Sequence, residues 1–188
     1  RSASNENLQV ELGGRVVEFA EREGPGEREQ IGVLVALVVL LVTFGTVAAA
    51  GVPLVTALFG VGVGLMLVTL TSQFLTISRF APQLATMIAL GVGIDYALLI
   101  VTRYRQAFDR HHDVELAVME VMRTAGRSVL FAGITVVIAL LGLVLVGVTI
   151  VTGMAIASAL AVLMTMVAAL SLLPALLGFG GRHLDRMR

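Results

Sequence analysis

Asp95 and Tyr96 are the residues of this chain best placed to do chemistry, because a carboxylate and a phenol stand together inside an apolar run. The run reads GVGIDYALLIVTRYR from Gly91 to Arg105, and the nearest other acidic residues are Glu29 before it and Asp109 after it. A charge at the centre of a bilayer costs roughly 2.5–3.5 kcal/mol on insertion scales, so it is kept only where it faces a bundle interior or a watery cavity. A carboxyl group there is pulled toward its neutral form by burial and toward its charged form by a donor or cation. Held between the two, it can take a proton from one side and release it to the other. The plainer role is interhelical glue, but hydrogen bonds between membrane helices average only about 0.6 kcal/mol, too little to offset the insertion cost. Tyr96 supplies a hydroxyl able to donate to a carboxylate on a neighbouring helix. Gly91 and Gly93 leave the backbone bare beside the pair, which lets another helix come close.

Other motifs carry less. GVGVG at Gly60–Gly64 has neither the preceding strand nor the lysine of a phosphate loop, and reads as close helix packing. GVGIDY fails the dinucleotide fingerprint, since Tyr96 occupies the place of its third glycine. His111 and His112 lie in a charged stretch without ligand spacing and read as solvated. No nucleophile stands with a base, which argues against an enzyme, and nothing calls for a metal or a cofactor. Cysteine is absent, which excludes disulfides and thiolate metal sites. The arginines are scattered, so no nucleic-acid surface is expected.

The elements that must position Asp95 follow from composition. Of 188 residues, 57% are hydrophobic and only 14% charged, against about a quarter in soluble domains. The mean hydropathy of +0.96 agrees. A membrane span needs roughly 20 apolar residues. Five segments qualify, at about 31–50, 54–72, 84–102, 128–147 and 152–177, so the expected fold is an all-α polytopic membrane protein built as a bundle of five helices. Gly51 and Pro53 separate the first two spans, and the apolar turn GVTIVTG at Gly147–Gly153 separates the last two. Asp95 then lies about 11 residues into the third span, near the bilayer midplane.

Arginine placement orients the bundle. Arg103, Arg105, Arg110, Arg123 and Arg127 crowd the segment between the third and fourth spans, and Arg182, Arg186 and Arg188 follow the last. The loop between the second and third spans holds only Arg79. The positive-inside rule makes the larger groups cytoplasmic, with Arg103, Arg105 and Arg127 as anchors at the boundary. Residues 179–188 form a cytoplasmic tail, and residues 1–30 fall outside the cytoplasm, where they need an upstream signal or span to arrive. Leu8, Val10 and Leu12 alternate as in a half-buried strand, and Arg15–Glu23 reads as a short amphipathic helix stopped by Gly24-Pro25-Gly26. Too short for a core of their own, these look like the edge of a larger domain, so the chain is expected to be a piece of a longer one. On the cytoplasmic side, Asp113 is a candidate N-cap for an amphipathic helix over 113–125, lying against the membrane or the bundle base.

ATMIALGVGIDYALLIVTRYRQ (Ala85–Gln106) resembles the fourth transmembrane helix of the MMPL branch of the RND transporter superfamily. TAGRSVLFAGITV (Thr124–Val137) and LSLLPALLG (Leu170–Gly178) resemble the start of that family's fifth helix and the end of its sixth. The resemblance covers the whole chain, from the end of a first α+β porter subdomain through transmembrane helices two to six, half of an RND membrane domain. It implies proton-driven export of lipids or other hydrophobic or amphipathic molecules from a bacterial cytoplasmic (inner) membrane. Asp95 and Tyr96 would form half of a proton relay, completed by a matching Asp-Tyr helix in a downstream second half. One charge crossing 100 mV supplies about 2.3 kcal/mol for such work. In the family pattern that the resemblance implies, many members carry serine where this chain has Ala132, between Phe131 and Gly133. Sterol-sensing domains share the same five helices, so the other reading is a lipid-binding regulatory module that does not transport.

Overall fold

A computed structural model describes residues 47–73, 77–78 and 80–185, together with isolated positions between 32 and 41. Contacts divide the chain into two units, Arg1–Val35 and Ala36–Arg188. Of the first unit only Gly32, Leu34 and Val35 are described, all helical. The strand and helix expected before residue 30 lie outside the described residues, as does most of the first expected span.

All described elements are helical. They are α1 (Val47–Thr71), α2 (Ala81–His111), α3 (Val114–Val121), α4 (Arg127–Gly142) and α5 (Thr149–Asp185). A π-helical segment, Met122–Gly126, joins α3 to α4, and a 3-10 turn, Leu143–Val146, follows α4. Four stretches are long and apolar enough to cross a membrane: Gly51–Thr71, Ala81–His111, Val114–Val146 and Thr149–Phe179.

Three boundaries differ from the sequence reading. Gly51 and Pro53 do not interrupt the chain but lie inside α1. A proline removes one backbone hydrogen bond, which a membrane helix tolerates where neighbours pack around it, and Pro53 is fully buried. The turn before α5 is tighter than Gly147–Gly153: Gly147 alone takes the left-handed conformation, with φ of 74°, and Gly153 is buried within α5. The helical path also continues through Gly126, so the amphipathic helix and the span after it are one rod. Asp113 does cap that rod, its Oδ1 accepting from the Glu115 and Leu116 amides at 2.8 and 3.0 Å.

Helix α5 is the hub, packed against α1, α2 and α4, while α1 also packs along α2. The seams are made of small residues. Ala81, Ala85 and Ala89 of α2 meet Ala157 and Ala161 of α5 and Val61 and Val68 of α1 in one buried cluster. Gly60 and Gly64 are the closest approaches to backbone: a Cβ on Gly60 would stand 2.6 Å from the Cα of Thr165, and one on Gly64 2.8 Å from that of Ala161. With no water to expel between helices in lipid, such backbone proximity is the main source of packing energy. The GVGVG stretch is therefore a helix seam, with Gly62 between the two contacts facing open space. Thr56 and Thr165, buried at these seams, donate to the carbonyls of Val52 and Ala161, so neither hydroxyl is stranded.

Candidate functional site

At 31 residues, α2 is about 46 Å long, more than the roughly 30 Å of hydrocarbon, and its arginine-bearing end extends beyond the span. Its buried positions, Ala81, Ala85, Ala89, Gly93, Tyr96, Ala97, Ile100 and Tyr104 among them, recur at helical spacing and form the face sealed by α1 and α5. The opposite face is left uncovered by the described residues. Leu84, Met87, Gly91, Asp95, Leu99, Arg103, Gln106 and Arg110 are all exposed, spaced three or four apart.

The structure thus separates Asp95 from Tyr96. Asp95 sits on the open stripe, accepting no hydrogen bond and meeting no cation among the described residues. Tyr96 turns into the sealed face with 9% of its surface exposed, and its hydroxyl finds no partner among the described residues. The two glycines part in the same way. Gly93 is in the seam, where a Cβ would meet Thr165 Cγ2 at 3.0 Å and Ala57 Cβ at 3.2 Å. A Cβ on Gly91 would meet nothing within 4 Å, because Gly91 shares the open stripe with Asp95 one turn away. The close approach expected at both glycines is made, among the described residues, only at Gly93.

Beyond Leu99 the stripe enters a cleft of about 390 Å³. Leu99, Arg103 and Arg110 line one wall, and Glu120, Val121, Thr124, Ala125 and Ser128 line the other. The cleft exists because α2 packs on α3 and the π segment but makes almost no contact with α4. Arg103, exposed, lines this cleft two turns before the end of α2; Arg127 is exposed at the first residue of α4, and Arg105 is half-buried. Ala132 is exposed on α4 one turn beyond Ser128.

At the cleft's outer edge is a cluster that the sequence reading missed. Glu120 Oε1 accepts from Arg110 Nη2 at 2.7 Å, and its Oε2 lies 2.6 Å from His111 Nε2. His111 is thus bonded rather than simply solvated. The bond to His111, and then the charge and hydrogen bond of Arg110, outweigh burial and hold the Glu120 carboxyl below its usual range. Residues 110, 111 and 120 have no recognisable spacing; only the chain reversal at His112, in the left-handed conformation with φ of 52°, brings them together.

A model of the MMPL family matches residues 1–188. Membrane protein YdfJ of Bacillus subtilis is 41% identical over 184 residues, which is 98% of this chain and 25% of that protein. The trehalose monomycolate exporter MmpL3 of Mycobacterium tuberculosis is 31% identical over 159 residues, covering 85% of this chain and 17% of the exporter. The mycolic acid-containing lipids exporter MmpL11 of Mycolicibacterium smegmatis is 35% identical over 148 residues, 79% of this chain and 16% of its own length. The chain spans about a quarter or less of the length of these relatives. With four helices fit to cross a bilayer and relatives of this kind, it is an integral membrane protein.

Proposed function

The chain belongs to the MMPL family, and from that premise we propose that it forms half of the membrane domain of a proton-driven exporter of lipids or other amphipathic molecules. Asp95 is the group that gains and loses the proton, and Tyr96 tunes it. A second half with its own Asp-Tyr helix lies over the stripe from Leu84 to Arg103. The arginine-rich end of α2 faces the cytoplasm, the membrane is the bacterial cytoplasmic membrane, and the protein works as a transporter rather than an enzyme.

One observation carries this reading. Asp95 stands mid-span on a face that no described helix covers, while the reverse face of the same helix is sealed by alanine and glycine. Lipid cannot be the cover, since the carboxylate would then bear the full cost of hydrocarbon. A polar partner or a water-lined gap must be, and a water-lined gap gives the group access to protons. The bare backbone at Gly91, one turn from Asp95 on that stripe, favours a helix as that cover. The names of two relatives, exporters of trehalose monomycolate and of mycolic acid-containing lipids, support a lipid as cargo.

The test is Asp95→Asn in the full-length protein, expressed at wild-type level. Asparagine keeps the volume and the hydrogen-bonding capacity but cannot cycle a proton. Movement of an NBD-labelled lysophospholipid in everted vesicles under an imposed pH gradient should be abolished, with membrane insertion intact. Wild-type transport by the variant would make Asp95 structural.

A further inference from the structure

Resting on the reading of Asp95 as the proton-exchanging group, we propose that the cleft between α2 and the α3–π–α4 rod is the cytoplasmic outlet of the proton path, with Glu120 and His111 as its terminal acid–base pair. The stripe gives the route. Leu99, which lines the cleft's inner end, lies one turn from Asp95 on the same exposed face. Arg103 and Arg110 carry that face to the outer edge over a rise of about 22 Å from Asp95. A volume of about 390 Å³ holds a file of about ten waters. Those waters have polar walls to bond to: the Thr124 and Ser128 hydroxyls donate to the carbonyls of Glu120 and Thr124, which leaves their oxygen lone pairs turned outward as acceptors.

The charges facing the pair fit an outlet. Arg103 and Arg110 of α2 are the cations lining the cleft, while the π segment and α4 contribute hydroxyls and no charge to its walls. Positive charge toward the cytoplasmic end favours the ionised form of a carboxyl group within reach, and so favours release on that side. Glu120 fronts the cleft, and His111, which does not line it, stands behind at 2.6 Å with its ring half-exposed. The step balances as a relay. Asp95 gives its proton to cleft water, the water gives one to the Glu120 carboxylate, and that proton crosses to His111. The imidazolium then gives its Nδ1 proton to bulk water, and a turn of the exposed ring brings a bare nitrogen back to Glu120 for the next proton. Nothing is consumed, and Arg110 holds Glu120 in place throughout through its other oxygen.

Chemical rescue tests this. Full-length protein goes into vesicles of phosphatidylethanolamine and phosphatidylglycerol loaded with pyranine, and proton flux under an imposed pH gradient is read with imidazole absent or present on the cytoplasmic side. Glu120→Gln and His111→Gln should each slow the flux about tenfold and recover it when imidazole replaces the lost relay. Asp95→Asn should be inactive with or without imidazole. Wild-type flux in both Glu120→Gln and His111→Gln, with Asp95→Asn inactive, overturns the outlet and leaves the exchange site standing. Slow flux that imidazole does not restore makes the pair structural and also overturns it. Wild-type flux in Asp95→Asn sinks the underlying reading instead.

Discussion

Asp95 and Tyr96 are neighbours in the chain but occupy opposed environments, the carboxylate on an uncovered stripe of α2 and the phenol in the seam that α1 and α5 close. A residue step of about 100° around the helix is enough to divide them. The pair is therefore not one hydrogen-bonded unit within this half, and its two members should respond differently to substitution.

Tyr96→Phe should reduce transport without abolishing it, since only a tuning hydroxyl is lost. Because that hydroxyl has no partner among the described residues, its removal should not lower stability and could raise it by about 1 kcal/mol. Rates in everted vesicles, with thermal melting in detergent alongside, would check both; a variant as inactive as Asp95→Asn would place the hydroxyl in the proton path itself.

The glycines offer a second contrast. Gly93→Val puts new atoms against Thr165 and Ala57, overpacking a seam that has no room, and should cost roughly 1–3 kcal/mol. Gly91→Val meets open space in this half, so any loss it causes reports on whatever covers the stripe. Melting of the full-length variants should show Gly93→Val destabilised at once. If Gly93→Val melts like wild type, α1 and α5 do not close on α2 as described.

The Glu120 cluster gives a dependence on pH with a definite sign. Its carboxyl is held below the usual range when folded, so its contribution is complete above the ordinary carboxylate pKa. That contribution fades as pH falls through the depressed folded value. Hydrogen-exchange protection of Val114–Val121 should therefore drop at acid pH in the wild type, and less so in Glu120→Gln, where protection starts lower. An identical acid response in the two proteins would remove Glu120 from the docking of α3.

Orientation is open to labelling, since the chain has no cysteine to interfere. An impermeant thiol reagent outside intact cells should modify Arg79→Cys, whereas Glu115→Cys should react only after permeabilisation. The reverse pattern would invert the bundle.

The sequence made the four described spans and the place of Asp95 in one of them legible because both depend on local composition: long apolar runs, and one carboxylate interrupting one of them. It also marked Asp113 as a cap, since that bond is made within three residues. It could not divide Gly91 from Gly93, because identical residues two apart differ only in which neighbour their face meets. Pro53 read as a boundary for a similar reason: proline breaks an isolated helix but is held by packing around α1. The joining of Arg110, His111 and Glu120 depends on one reversal at His112, and no periodicity announces it.

The π segment Met122–Gly126 sets the angular phase of one half of a continuous rod against the other. It holds one residue beyond the α-helical repeat, and each residue is worth about 100° of rotation. This is how α3 can present Glu120 to Arg110 and His111 while α4, further along the same helical path, presents Gly133 to Met166 of α5. Deleting one residue from the segment would shorten the rod by only about 1.5 Å. It would also swing α3 by about 100° and carry Glu120 away from both partners, with the contact of α4 on α5 unchanged.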